Sequence, residues 1–585
     1  MPNGADSPGI DSVRGIIGLD FGTTNTLCAW MDGDIPVIIP NDRGERATPS
    51  AIARTDRGEL LVGSSARSQA LADPRSALFG VKRMLGKART VAFGNSSSTP
   101  EELAAAILDK VRRDAERYLG FDVDSAVITV PARYGDPQRR AVRDAAAKAG
   151  IRTARIMNEP SAAALARAWA ASRDESERMV LVYDFGGGTF DATVLRSKGG
   201  SCAVLASEGD DGLGGMDIDT ALYHHVAERF LAEFGIDPDA DAYLSRLLID
   251  LCEKAKIELS SRDEATIAVP FLRGADGLVH PSVQIHRTEF ERIASPFVDR
   301  SLALVQRVLD MAGSRASDIG ALVLSGGSSR IPLAQSCLCD MIGLKADSRV
   351  NPEEIVALGA AVEAARIEGR LGGLSFTDVV SRTFGLEIDG GKFVPLIKKN
   401  EPLPSSGRRI FTTVDDFQRS VELHVLQGEE PQAKANVSVG RFLLPGIRMA
   451  ARGEPRIAVE FSIDESDMLL VRARDMDTGA EQSIAVFDGG LDSRSPHDRV
   501  LALAQIARRE SEGLKLDAAL SAELDELLQA AASCAGDDQK AAMTATLLEG
   551  LLSEFSARAA LAPLTRLASD DAGARRPEPE GKAAR

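Results

Sequence analysis

Apolar positions along this chain come in short runs that end in aspartate and glycine, and the arrangement recurs. Met179 to Val182 is an uninterrupted apolar run that reads as a buried strand, and it leads into Tyr183-Asp184-Phe185-Gly186-Gly187-Gly188-Thr189-Phe190-Asp191. Ile16-Ile17-Gly18-Leu19 leads in the same way into Asp20-Phe21-Gly22-Thr23-Thr24-Asn25. Leu322-Val323-Leu324 runs into Ser325-Gly326-Gly327-Ser328-Ser329-Arg330 and then Pro332, which reads as strand, glycine turn and helix.

Helical signals lie between these runs. Thr99-Pro100-Glu101-Glu102 joins an N-cap hydroxyl, a first-turn proline and two acids, and predicts a helix to about Leu119. Asp136-Pro137 caps another through Ala149, Ser64 or Ser65 opens a short one, and Gly214-Gly215-Met216-Asp217 opens a long one. Ala242 to Leu259 and Pro352 to Glu368 add two more. Strands are expected at Ser50 to Ala53, Leu60 to Val62, Ala126 to Val130, Ala192 to Leu195 and Ala203 to Ser207, with a hairpin turn at Asp32-Gly33. From Phe384 to Val486 the period changes to two, as in Ile457-Ala-Val-Glu-Phe-Ser-Ile463, which predicts a β-sandwich. Helical spacing returns from residue 498 to about 566.

The glycine loops carry the chemistry. Glycine tolerates φ > 0, so successive N–H groups can point into one concavity that holds phosphate oxygens. Thr189 adds a hydroxyl, and Asp184 and Asp191 add carboxylates suited to a hydrated Mg²⁺. Each loop alone also fits a plain hairpin turn. Two copies of the device suggest a duplicated domain whose lobes each present one loop to the same phosphate chain. The sequence holds no Gly-x-x-x-x-Gly-Lys-Ser/Thr run, so it is not a P-loop enzyme.

The three loops in this order resemble the actin-like ATPase fold, and the DnaK (heat-shock-70) chaperones resemble the chain most closely. Val127-Ile-Thr-Val-Pro131, Asn158-Glu159-Pro160-Ser161, Glu253-Lys-Ala-Lys256-Ile-Glu-Leu-Ser260, Val350-Asn-Pro-Glu353 and His424-Val-Leu-Gln-Gly-Glu429 carry the likeness, which covers about residues 14 to 488. The resemblance implies an α/β two-lobed ATPase domain, an all-β peptide-binding sandwich and a short helical lid. The expected division is a disordered 1–12, the ATPase at 13–371, a linker at 372–383, the sandwich at 384–488, the lid at 489–567 and a disordered 568–585.

The same resemblance implies roles for residues. Lys82, Glu159 and Thr189 assist attack of water on the γ-phosphate of ATP, and Asp20 and Asp184 hold Mg²⁺ through water, with K⁺ as a further candidate ion. Gly22, Thr23, Thr24, Asn25, Gly186, Gly187, Gly188, Gly214 and Gly215 cradle phosphates. Glu253, Lys256, Ser260, Gly326, Gly327, Ser328, Arg330 and Glu353 frame the adenosine of ATP or ADP. Pro131 and Arg139 relay nucleotide state, and Arg155 and Asp378 match positions that receive J-domain cochaperones. Leu386, Phe411, Val421 and Leu423 match the peptide pocket, with Asp389 and Val414 at the arch above it. From the residues alone, Lys82, Arg139, Arg155 and Asp378 also read as surface charges, Glu159 as a helix-start carboxylate, and the pocket residues as core.

Three departures stand out. Past Gly86 only a short polar stretch, to about Ser98, replaces a small-sheet region usual in the family. Met216 stands where the family commonly has Glu, and Glu353 where it has Asp. The linker keeps only Leu374 and Phe376 as apolar residues, so weaker docking is expected. An acidic Asp389 arch would favour basic over acidic peptides.

Composition narrows the partners. The 585 residues call for more than one domain, and 44% hydrophobic content supports sizeable cores. A formal charge of −17 speaks against nucleic acid or anionic membrane as partners. The six scattered cysteines include no C-x-x-C pair, and neither a signal sequence nor a bilayer-spanning run is evident, which fits a reducing cytoplasm. The expected partners are extended client peptides, a J-domain cochaperone and a nucleotide-exchange factor. A sugar-kinase-like phosphotransferase and a nucleotide-binding scaffold with negligible hydrolysis are the alternatives.

Overall fold

The computed structural model describes residues 15–87, 90–93, 96–171, 176–274, 277–347, 349–466, 468–479, 481–485 and 518–533, with isolated positions between 500 and 551. The segments 1–12 and 568–585 and most of 489–567 lie outside the described residues. The chain divides into two compact units.

Two sheets of similar plan organise the first unit. In one, Ile16–Phe21 pairs parallel with Ser125–Val130 and antiparallel with Asn25–Asp32, flanked by Arg152–Asn158 and Ile35–Ile39. In the other, Arg178–Phe185 pairs parallel with Ile319–Ser325 and antiparallel with Phe190–Lys198, followed by Ser201–Asp210 and Ser375–Thr377. Each Asp-Phe-Gly loop is therefore the turn that leaves a central strand for its antiparallel partner. The central strands are apolar throughout because both faces are covered: Val180, Leu181, Val182 and Tyr183 are all buried. Tyr183, Phe185 and Phe190 interlock edge to face, with centroids 4.9 to 6.0 Å apart.

Two alanine-rich helices, Glu159–Ala170 and Ile355–Ile367, pack together beside these sheets. Small residues set the approach: a Cβ at Gly359 would stand 1.8 Å from the Ala162 carbonyl oxygen. Pro100–Leu119 begins at a capping box in which Thr99 and Glu102 each accept from the other's backbone N–H. Ala242–Leu259 starts at the Asp241 side chain, which accepts from Tyr243 and Leu244.

Some elements differ from the sequence reading. The last helix of this unit starts at Ile355 rather than Pro352, because Pro352 lies in a turn that lines the cavity described below. Gly135, not Asp136, occupies the cap of Asp136–Lys148. Hairpins appear at Val91–Phe93 with Ser96–Ser98, and at Glu264–Ala268 with Ser282–His286. The linker contributes Ser375–Thr377 as a parallel edge strand on Ser201–Ala203, and Leu374 and Phe376 pack on the core.

The second unit contains two four-stranded antiparallel sheets. One has the order Lys392–Ile397, Phe384–Ile388, Ser420–Gln427, Val437–Pro445; the other has Ser405–Phe411, Ile457–Ile463, Leu469–Asp475, Glu481–Ala485. Buried and exposed residues alternate along Leu469–Asp475, as a half-covered strand requires. Toward the C-terminus, helix Ala518–Ala532 buries Leu520, Leu524, Leu527 and Ala531 against Val500, Ala504, Ala507, Leu548 and Leu551. Among the described residues no helix is long and apolar enough to cross a membrane.

Candidate nucleotide site

The three glycine loops meet at one cavity of about 350 Å³ in the first unit. Asp20, Gly22, Thr23, Thr24 and Asn25 line it from the first sheet, and Asp184, Gly186, Gly187, Gly188 and Thr189 from the second. Lys82 and Glu159 close one side; Glu253, Lys256, Ser260, Gly326, Gly327, Ser328, Arg330 and Glu353 line the rest. Gly214 and Gly215 stand behind the loop, where the Gly215 and Met216 N–H groups donate to the carbonyls of Gly186 and Gly187 at 3.0 and 2.8 Å.

The reason for glycine in the loops differs from the expected one. Gly22, Gly186, Gly187 and Gly188 are not at positive φ. Close approach requires them: a Cβ at Gly187 would lie 2.1 Å from Thr24 Oγ1, one at Gly188 2.5 Å from Thr23 Cγ2, and one at Gly22 2.0 Å from the Asn25 carbonyl oxygen. Gly326 does adopt φ 78°, and its missing Cβ would strike the Phe185 carbonyl oxygen at 2.4 Å. The two lobes therefore touch backbone to side chain along the phosphate cradle.

Acidic groups converge at its floor. Burial, and next the Glu159 carboxylate, raise Asp20 to about 7 against the pull of Lys82 and of Thr129, whose hydroxyl donates to Asp20 Oδ1 at 3.3 Å. Asp184 and Asp191 are held well above the usual carboxylate range by burial first and Glu159 second. Lys82 is buried and ion-paired with Glu159, across 77 residues of sequence. One ammonium among four carboxylates leaves a deficit of positive charge. Asp184 Oδ2, Asp191 Oδ1 and Thr24 Oγ1 are buried without a hydrogen-bond partner among the described residues. Oxygen donors, excess negative charge and orphaned buried atoms suit a divalent cation with a phosphate chain.

The opposite end of the cavity is a polar frame. Lys256 Nζ lies 2.7 Å from Asp219 Oδ2 and donates to the Gly215 carbonyl at 3.1 Å. Ser328 Oγ donates to the Gly186 carbonyl at 2.9 Å, tying the third loop to the second. Arg330 donates to Glu353 at 2.8 Å and to Asn351 at 2.5 Å. Met216 reaches the cavity from the start of its helix.

Several functional neighbours escaped the sequence reading. Arg67 meets Glu253 at 2.6 Å. Arg83 donates to the Gly188 carbonyl at 2.9 Å through Nε and pairs with Asp217 at 2.6 Å. Asp219 had a signal, since Asp217-Ile-Asp219 sits one helical turn into a helix that faces Lys256. Tyr134 had none.

The surface-charge reading of the coupling residues does not hold. Arg139 is 1% exposed; its Nε donates to the Tyr134 carbonyl at 3.0 Å and its Nη2 to Asn158 Oδ1 at 2.6 Å. Asn158 Nδ2 donates in turn to Asp378 Oδ2 at 3.2 Å. Arg155 is buried against Glu363 at 2.5 Å. Lys82 is likewise no surface charge. Apart from the Tyr134 carbonyl, these partners lie 19 to 220 residues away in sequence, so the pattern could not reveal them. Pro131 sits just beyond the end of its strand, Ser125–Val130.

In the second unit, Leu386 opposes Val425, and Leu423 and Val421 follow at alternate positions of the same strand, so all four share one sheet face. Leu386 and Leu423 are buried. Phe411 lies on the other sheet, opposite Ile457. Asp389 lies in the turn beyond Ile388, and Val414 is 54% exposed in a loop.

A family model described as Hsp70 protein matches residues 16–93 and 88–551. The chaperone protein DnaK from each of two strains of Halobacterium salinarum is 43% identical over 476 residues, which span 81% of this chain and 75% of the relative.

Proposed function

The chain belongs to the Hsp70 family of ATP-dependent chaperones, and from that premise we propose that slow Mg-ATP hydrolysis in its first unit switches capture and release of extended apolar peptides by its second. The observation that carries the reading is the convergence of Lys82, the carboxylates of Asp20, Glu159 and Asp184, and three glycine loops on one cavity. Magnesium, when bound, offsets the charge on the phosphates. Asp20 and Asp184 would hold the ion through water. The Thr23–Asn25 and Gly187–Thr189 segments offer N–H and hydroxyl donors to phosphate oxygens. The Lys82 ammonium stabilises charge that builds on the transferred phosphoryl group, and Glu159 and Thr189 hold the attacking water. Glu253, Lys256, Ser260 and the Gly326–Arg330 turn take the adenosine, and K⁺ is a further candidate ion beside the phosphates.

Arg139, Asn158 and Asp378 supply a hydrogen-bonded route between the catalytic strand end and the linker. Leu386, Val421, Leu423 and Phe411 offer an apolar surface to an extended peptide, with Asp389 and Val414 at its rim, and the C-terminal helices act as lid. Pro131 and Arg139 relay nucleotide state, Arg155 and Asp378 answer a J-domain cochaperone, and an exchange factor reopens the cleft. Single-turnover hydrolysis with and without a short apolar peptide tests this: acceleration by peptide is expected, and a rate blind to peptide in both nucleotide-binding and cochaperone-supplemented assays counts against coupling. Met216, an apolar side chain in the cavity wall, favours one second reading, a nucleotide-dependent scaffold. Tight ATP binding without phosphate release would select it.

A further inference from the structure

We propose that Tyr134 is a positioning residue for Lys82, tying the Pro131–Arg139 segment to the ammonium that faces the transferred phosphate. The inference rests on the assignment of Lys82 to hydrolysis. Lys82 lies in the short 3₁₀ turn Val81–Met84, entered through Gly80 at φ 65°. Such a turn leaves its last carbonyls without a helical donor. The Lys82 carbonyl accepts instead from the Tyr134 hydroxyl, 2.7 Å away in a buried bond. The ring of the same tyrosine lies 5.9 Å from Lys82 Nζ, and the Phe21 ring lies 5.7 Å from it. Both the backbone and the charged tip of Lys82 therefore bear on Tyr134.

Tyr134 is itself fixed from the coupling segment. Its N–H donates to the Pro131 carbonyl at 3.0 Å, and its carbonyl accepts from Arg139 Nε at 3.0 Å. Burial, then the Glu159 carboxylate, push the phenol well above its ordinary range, so it stays a donor. Among the described residues that line the nucleotide cavity Tyr134 is absent, so it acts through Lys82. A shift of the Pro131–Arg139 segment thus reaches the ammonium without touching nucleotide.

Tyr134→Phe removes the hydroxyl and keeps the ring. Single-turnover hydrolysis of saturating Mg-ATP should slow by roughly three- to tenfold, the loss of one hydrogen bond, with ADP affinity unchanged. Tyr134→Leu, which also removes the ring, should slow it further. A wild-type rate in Tyr134→Phe overturns the proposal, and so does a parallel fall of ADP affinity. Lys82→Ala assayed alongside separates two failures. Full turnover there removes the Lys82 assignment and this inference with it; an inactive Lys82→Ala beside a wild-type Tyr134→Phe removes only the role of Tyr134.

Discussion

Arg67 and Glu253, 186 residues apart on two helices, form an ion pair at 2.6 Å, and Glu253 lines the candidate nucleotide cavity. Both side chains are partly exposed, so the pair is worth about 0.5–1 kcal/mol and weakens with salt. Arg67→Ala should release ADP roughly two- to fivefold faster at low ionic strength, and the difference should shrink in salt. Stopped-flow release of a fluorescent ADP at two salt concentrations measures it.

Lys82→Ala should cut hydrolysis by on the order of 10² to 10³ while ADP still binds, because the ammonium acts mainly on charge that develops in the reaction. Its removal also leaves buried Glu159 without its cation. Single-turnover phosphate release and equilibrium ADP titration together read the split. Loss of binding equal to loss of rate would contradict the assignment.

Asn158→Ala breaks both bonds that join Arg139 to Asp378. Peptide stimulation of hydrolysis should fall to less than about half, since the linker then loses its link to the strand end beside Glu159. A stimulation ratio equal to wild type removes that route.

Asp219 gives a pH dependence of stability. Burial raises it from an ordinary 3.8 to about 6 despite its pairing with Lys256. Well below pH 3.8 it is protonated in folded and unfolded chains alike. As pH rises from about 4 to 6 the unfolded chain ionises first, so this group's contribution to stability is lost through that window and stays lost above it. The swing is about 3 kcal/mol at most. Urea midpoints of wild type and Asp219→Asn, without nucleotide, should diverge between pH 4.5 and 7 in the variant's favour. A gap that does not change with pH would show that the group is unshifted.

Thiol reagents should reach Cys337 and Cys339, which are half-buried on one helix, before Cys28, Cys202 and Cys252. Burial pushes each of these last three thiols up and away from thiolate. Mass spectrometry after brief alkylation orders them.

Local signals were legible where one side chain decides an element. The expected bounds of Ala242–Leu259 match the helix to the residue, and Thr99 with Glu102 fixes the start of Pro100–Leu119. The phosphate loops were legible as a set, although the glycines serve close approach rather than positive φ at Gly186 to Gly188. Short hairpins such as Val91–Ser98 were not, since three-residue strands carry too little alternation. Pairings such as Arg67 with Glu253 and Arg155 with Glu363 depend on chain closure across about two hundred residues, which no window of sequence contains.

The strand Ser375–Thr377 has an effect on the sheet that is separate from signalling. It covers the outer edge of Ser201–Asp210 over Ser201–Ala203, a stretch that would otherwise present unpaired N–H and C=O groups to any passing chain. Departure of the linker would uncover that edge over three residues only. An opening so short templates poorly, and Arg196 and Lys198 on the neighbouring strand add like charge beside it. The same three residues that lead toward the second unit therefore also complete the backbone pairing of the sheet's last strand over Ser201–Ala203.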